Sequence, residues 1–131
     1  MENYAGRCHC GSVSWSFAPS VQAVLKCHCN NCRKLQGSDY STWVVVPSDQ
    51  FSLTSGHEQV SRYTTGVSSR SFCSQCGTTV FLNNGKHFPE ATIVPLGLIE
   101  NFDDALAPQA HVYSSDKAGW VVIPESEAIL S

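Results

Sequence analysis

The chain has 131 residues, 42% of them apolar and 15% charged, with a formal charge of −3; this fits one folded domain, 1-131, and excludes a disordered chain. No segment reaches the roughly 18 apolar residues of a membrane span, and Met1-Glu2-Asn3-Tyr4-Ala5 has neither the basic nor the apolar part of a secretory signal, so no membrane contact and a cytoplasmic location are expected. An acidic chain suits a phosphate backbone poorly, because that binding rests on Lys and Arg, and nucleic acid is not expected as a partner.

In chain order, the first feature is Cys8-His9-Cys10-Gly11, two thiols closed by a glycine. Alternation then predicts a strand over 12–17, with Val13, Trp15 and Phe17 on one face. A second strand over 23–29 runs into Cys27-His28-Cys29-Asn30-Asn31-Cys32-Arg33. If Cys27 and Cys29 are extended they point to one side, and His28 to the other. A short helix over 30–36 follows, with Asn30 as its cap and Gly37 as its end. Strands are predicted over 40–46, 51–54, 60–63, 69–72, 79–82, 91–94 and 120–123, with one further helix over 101–106. Phe72-Cys73-Ser74-Gln75-Cys76-Gly77 supplies the last glycine-closed thiol pair. The result is a mainly β chain with no repeat and no linker long enough to separate two domains.

Seven cysteines is an odd number, which points away from a disulfide framework and toward metal. Neither the pair at Cys8 and Cys10 nor the pair at Cys73 and Cys76 can fill a tetrahedral zinc site, but together they make a closed four-thiolate site. Gly11 and Gly77 permit the left-handed turn that brings backbone N–H groups toward the sulfurs. Cys27, Cys29 and Cys32 offer three thiolates and leave a fourth position for water or substrate, which is the pattern of catalytic zinc. A structural site completed by His28, His57, His87 or His111 is the alternative. Two zinc ions on seven thiolates would shift the formal charge from −3 to −6, since seven negative charges meet four positive ones.

These residues, in order and spacing, resemble the glutathione-dependent formaldehyde-activating (GFA) family: Gly6 to Gly11, Cys27 to Arg33, Phe72 to Gly77, and then Pro108-Gln109-Ala110-His111-Val112-Tyr113 followed by Trp120. The resemblance implies a β-tent fold, one structural zinc on Cys8, Cys10, Cys73 and Cys76, and one catalytic zinc on Cys27, Cys29 and Cys32. It also implies a carbon–sulfur lyase or synthase that joins formaldehyde to glutathione as S-hydroxymethylglutathione, with glutathione or a related thiol as the small-molecule partner.

For the carboxylates of such a thiol, the forked guanidinium groups of Arg33 and Arg70 are the leading contacts, with Arg7, Lys26 and Lys34 behind them. His28 and His111 are candidates to move protons, and Tyr40 and Trp43 to wall a pocket. A non-catalytic zinc module that binds a partner protein, and a redox switch that releases zinc when Cys27, Cys29 and Cys32 are oxidised, are the competing functions. The sequence sets no oligomeric state.

Overall fold

The computed structural model describes residues 2–130. Its elements are β1 (Tyr4–Arg7), β2 (Ser14–Phe17), β3 (Ala23–Cys27), α1 (Asn30–Gln36), β4 (Ser41–Pro47), β5 (Phe51–Ser55), β6 (Val60–Thr65), β7 (Ser68–Cys73), β8 (Thr79–Asn84), β9 (Phe88–Pro95), β10 (Ala110–Val112) and β11 (Ala128–Leu130), with single 3-10 turns between several of them. They form two sheets. One has the order β1-β2-β5, and the other the order β11-β10-β3-β4-β9-β8-β7-β6. The fold is mainly β, as the alternating sequence predicts.

Period two explains how the sheets meet. Along β4, Val44 and Val46 join the cluster that holds Trp15, Phe17, Val80 and Val94 between the two sheets. Their neighbours Trp43 and Val45 point the other way and pack with Leu25, Cys27, Ala91, Ile93 and Ala110. The large sheet is therefore apolar on both faces, although the small sheet is built against only one of them. Trp15 locks the sheets together: it is 1% exposed, and its Nε1 donates to the Val80 carbonyl at 2.9 Å. The second apolar face is left for the site described below.

Three expectations change on contact with the structure. The segment 120–123 is not a strand. Gly119 and Pro124 bracket it, Val122 is 81% exposed, and Lys117 Nζ donates to the carbonyls of Ala118 and Val121, which holds the segment as a turn with no neighbouring strand. The helix expected over 101–106 shrinks to one 3-10 turn at Asp104–Leu106, capped by Asp103. The Asn101 amide ties this region to the N-terminal strand by accepting from the Ala5 N–H and donating to the Asn3 carbonyl. Three strands, β1, β10 and β11, lie outside the predicted set. Each is three or four residues long and becomes a strand by pairing: β1 with β2, β10 with β3, and β11 with β10.

Candidate functional site

Cysteines gather at two places. The loop after β1 carries Cys8 and Cys10, while Cys73 ends β7 and Cys76 lies in the turn that follows. The four sulfurs lie within 4.8 Å of one another, with Cys8 to Cys10 at 3.7 Å and Cys10 to Cys73 at 3.8 Å. Four sulfurs placed tetrahedrally at the usual zinc–sulfur distance of about 2.3 Å stand about 3.8 Å apart, so this cluster has the size and donor set of a zinc site. Gly11 and Gly77 close the two loops at φ +83° and +80°, and each donates its N–H to the carbonyl of the first cysteine of its pair, at 3.0 and 2.8 Å. Hydroxyls favour the thiolates here. The Ser12 hydroxyl, 3.4 Å from Cys73 Sγ, holds that thiol below its ordinary pKa, and the Thr78 hydroxyl, 3.2 Å from Cys76 Sγ, brings Cys76 down to about 5.

The second cluster sits where β3 turns into α1. Cys27 ends the strand, and Cys29 caps the helix in place of the expected Asn30: its sulfur accepts the Cys32 backbone N–H at 3.3 Å. Gly37 ends the helix in the left-handed conformation at φ +66°. Cys27 Sγ stands 3.5 Å from Cys29 Sγ and 3.1 Å from Cys32 Sγ. The nearby Cys27 sulfur, reinforced by burial, pushes the Cys32 thiol well above its ordinary pKa, and burial does the same to Cys29. Three crowded sulfurs, one buried and two part-buried, are a donor set that a soft divalent cation would satisfy. No histidine or carboxylate joins this group among the described residues.

Behind the cluster lies a buried polar chain. His28 is fully buried and shares a bond between its Nε2 and His111 Nδ1 at 2.8 Å, while His111 Nε2 reaches Glu127 Oε1 at 2.7 Å. A carboxylate only accepts, so His111 donates from Nε2, its Nδ1 accepts from His28 Nε2–H, and His28 Nδ1 is left as a lone pair with no partner. Burial holds His28 below the ordinary histidine pKa. The His28 N–H also donates to the Val112 carbonyl at 3.1 Å. The chain thus fixes the strand edge from which Cys27 and Cys29 project. Glu127 was not legible in the sequence, since nothing in a C-terminal Glu-Ser-Glu run signals a partner 16 positions upstream.

In front of the cluster is a cavity of about 490 Å³. Its floor is the second apolar face of the large sheet, with Leu25, Trp43, Val45 and Ile93, and its mouth includes Val67 in the turn between β6 and β7. All three cysteines of the open group line it, and none of the four cysteines of the closed group does. Of the aromatic residues proposed as walls, Trp43 lines the cavity, while Tyr40 packs on His28 with ring centroids 5.3 Å apart. His28 and His111 lie outside the lining; His87 and Tyr113 belong to it. Tyr113 holds a left-handed backbone conformation at φ +56°, a strained state for a non-glycine residue.

The arginines expected to meet a substrate make hydrogen bonds within the chain and lie outside the cavity lining. Arg70 Nε donates to Thr79 Oγ1 at 2.7 Å and its guanidinium lies 5.0 Å from the Phe72 ring centroid. Arg33 donates to Asn30 Oδ1 at 3.2 Å. Arg7 pairs with Glu100, and Lys26 sits 3.5 Å from Glu127. None of these side chains, nor Lys34, lines the cavity.

Two cysteine clusters in this order, one closed and one open to a cavity, agree with the match of residues 3–116 to the model of the family described as glutathione-dependent formaldehyde-activating enzyme. The chain belongs to that family. Similar proteins include an uncharacterized lyase of Schizosaccharomyces pombe, 30% identical over 95 residues, covering 66% of this chain and 64% of that protein. A putative glutathione-dependent formaldehyde-activating enzyme of Talaromyces marneffei is 32% identical over 85 residues, covering 63% of this chain and 46% of that protein. The chain thus spans between about half and two thirds of the length of these curated relatives. The fold is shared with a crystal structure of a Rhodobacter sphaeroides protein at a TM-score of 0.61 and 21% identity, over 76% of this chain and 91% of that one. No helix among the described residues is long and apolar enough to cross a membrane.

Proposed function

We propose that this member of the formaldehyde-activating family is a zinc-dependent carbon–sulfur lyase or synthase that acts on glutathione or a similar thiol and a small aldehyde. The observation that carries the reading is the position of Cys27, Cys29 and Cys32 in the wall of the cavity, while Cys8, Cys10, Cys73 and Cys76 lie away from it. One cluster would hold a zinc ion for structure, and the other a zinc ion for chemistry. Bound at the open cluster, zinc supplies the positive charge that keeps a substrate sulfur deprotonated near neutral pH.

The reaction itself is an addition. The sulfur–carbon bond forms, the carbonyl π bond opens, and the thiol proton ends on the carbonyl oxygen, with no oxidant or reductant required. The chain's own contribution is to hold and orient. The backbone N–H of Cys32 fixes the Cys29 sulfur, and Leu25 and Trp43 keep water from the cavity floor. His87 and Tyr113 line the cavity and would be the candidates to carry the proton between sulfur and oxygen. All seven cysteines are unpaired, which suits a reducing cytoplasmic setting.

The test is exchange spectroscopy by NMR on mixtures of formaldehyde, glutathione and their adduct. The parent protein is expected to speed exchange over the protein-free rate, and Cys32→Ala to return it to that rate. Equal exchange in all three samples would remove formaldehyde addition to glutathione from the reading.

A further inference from the structure

We infer that the substrate body this cavity accepts is uncharged and apolar, so that the thiol partner is a neutral thiol carrying an aryl or branched alkyl group, and glutathione is a poor fit. The inference rests on the thiol-addition reading above and narrows its substrate class. None of the chain's eight lysines and arginines lines the cavity. Lys26, Arg33, Lys34 and Lys86 each adjoin a lining residue in sequence, but none of their side chains is part of the wall. The two arginines suited to a carboxylate, Arg70 and Arg33, lie outside the lining and donate to Thr79 and Asn30. Glutathione carries two carboxylates, and a carboxylate that loses water without gaining a cation or several N–H donors binds poorly.

The surfaces that remain are largely hydrocarbon, interrupted by uncharged polar side chains and by His87 and Tyr113. Leu25, Trp43, Val45, Leu82, Phe88 and Ile93 present hydrocarbon to the cavity. The polar residues in the lining are mostly neutral, and two of its three asparagines, Asn83 and Asn84, are tied within the wall. Asn83 Nδ2 donates to the Ala91 carbonyl at 3.3 Å. Asn84 Oδ1 accepts the N–H groups of Lys86 and His87 at 3.0 Å each, while its Nδ2 donates to Ser68 Oγ at 3.4 Å. A cavity of about 490 Å³ with a hydrocarbon floor and thiols at one end fits a ring or branched chain ending in sulfur.

The experiment titrates the zinc-loaded full chain with phenylmethanethiol, glutathione and the sulfur-free analogue benzyl alcohol. It follows the backbone amide shifts of Val67, Phe88 and Val112, and measures adduct formation with formaldehyde alongside. Phenylmethanethiol is expected to bind at least about tenfold tighter than glutathione, because an apolar group is buried and no carboxylate is stranded. Val67→Lys, at a side chain 55% exposed in the turn between β6 and β7, places a cation at the mouth without disturbing the core and is expected to narrow that gap. If glutathione binds as tightly as phenylmethanethiol, or tighter, the inference is overturned, and catalysed exchange with glutathione would leave the thiol-addition reading standing. If the benzyl compounds shift these amides but no thiol adds to formaldehyde faster than in buffer, the apolar cavity is supported and the thiol-addition reading falls. Absence of any shift with all three ligands overturns the inference as well.

Discussion

His111 sits between a carboxylate and a second imidazole, and each of its ring nitrogens has one role. Glu127 fixes the tautomer by accepting from Nε2, and His28 completes the chain. Replacing Glu127 with Ala leaves a buried N–H on His111 unpaired and is expected to lower stability by about 1–3 kcal/mol, measurable by denaturant titration. The hydrogen bond from His111 also holds the Glu127 carboxyl below its ordinary value of 4.5. Because the folded form releases this proton more readily than the unfolded one, the contribution is present above about pH 4.5 and is lost as pH falls through the lowered value. Melting temperature should therefore drop on acidification below pH 4.5 by less in Glu127→Gln than in the parent. Equal drops would show that the bond adds nothing. Trp15 gives a second expectation at this scale. Trp15→Phe removes the donor to the Val80 carbonyl and leaves space in a fully buried position, at an expected cost of about 2–4 kcal/mol by the same titration.

The two cysteine clusters act on different elements, so their loss has different consequences. The closed cluster joins the loop after β1 to the turn after β7 across 63 positions of sequence. The open cluster closes a span of six residues at the start of α1, a helix that buries no residue completely. Cys76→Ser is therefore expected to remove one metal equivalent and lower the melting temperature strongly. Cys32→Ala is expected to remove the other equivalent while the fold survives nearly intact. Native mass spectrometry with thermal melts on both variants separates the two roles, and a reversed order of melting temperatures would reassign them. The elements also show where local reading stops. The alternation that predicts β2 and β4 succeeds because each residue there meets a sheet face. The Trp120 to Ile123 segment has the same β-branched and aromatic texture but no strand beside it, and it becomes a turn.

At the scale of the molecule, the large sheet covers one face with the small sheet and keeps the other for the cavity. With strand pairing spread over the whole chain and a small core, metal is expected to contribute a large share of the folding free energy. Excess chelator should lower the melting temperature by more than about 10 °C, and restored zinc should reverse the shift. A chain that melts unchanged in chelator would be one that folds on its hydrocarbon core alone. The sequence by itself determined the mainly β class, the grouping of seven cysteines as four and three, and the glycines that close the first group, because these depend on residue type and short spacing. Only the tertiary structure decided that Arg33 and Arg70 stay outside the cavity lining, that Glu127 holds His111 and through it His28, and that a hydrocarbon floor faces the three thiols. Each of these depends on which strands lie side by side, and β10 meets β3 from across more than eighty residues. A pairing over that distance is set by the burial of whole faces, which no local pattern encodes.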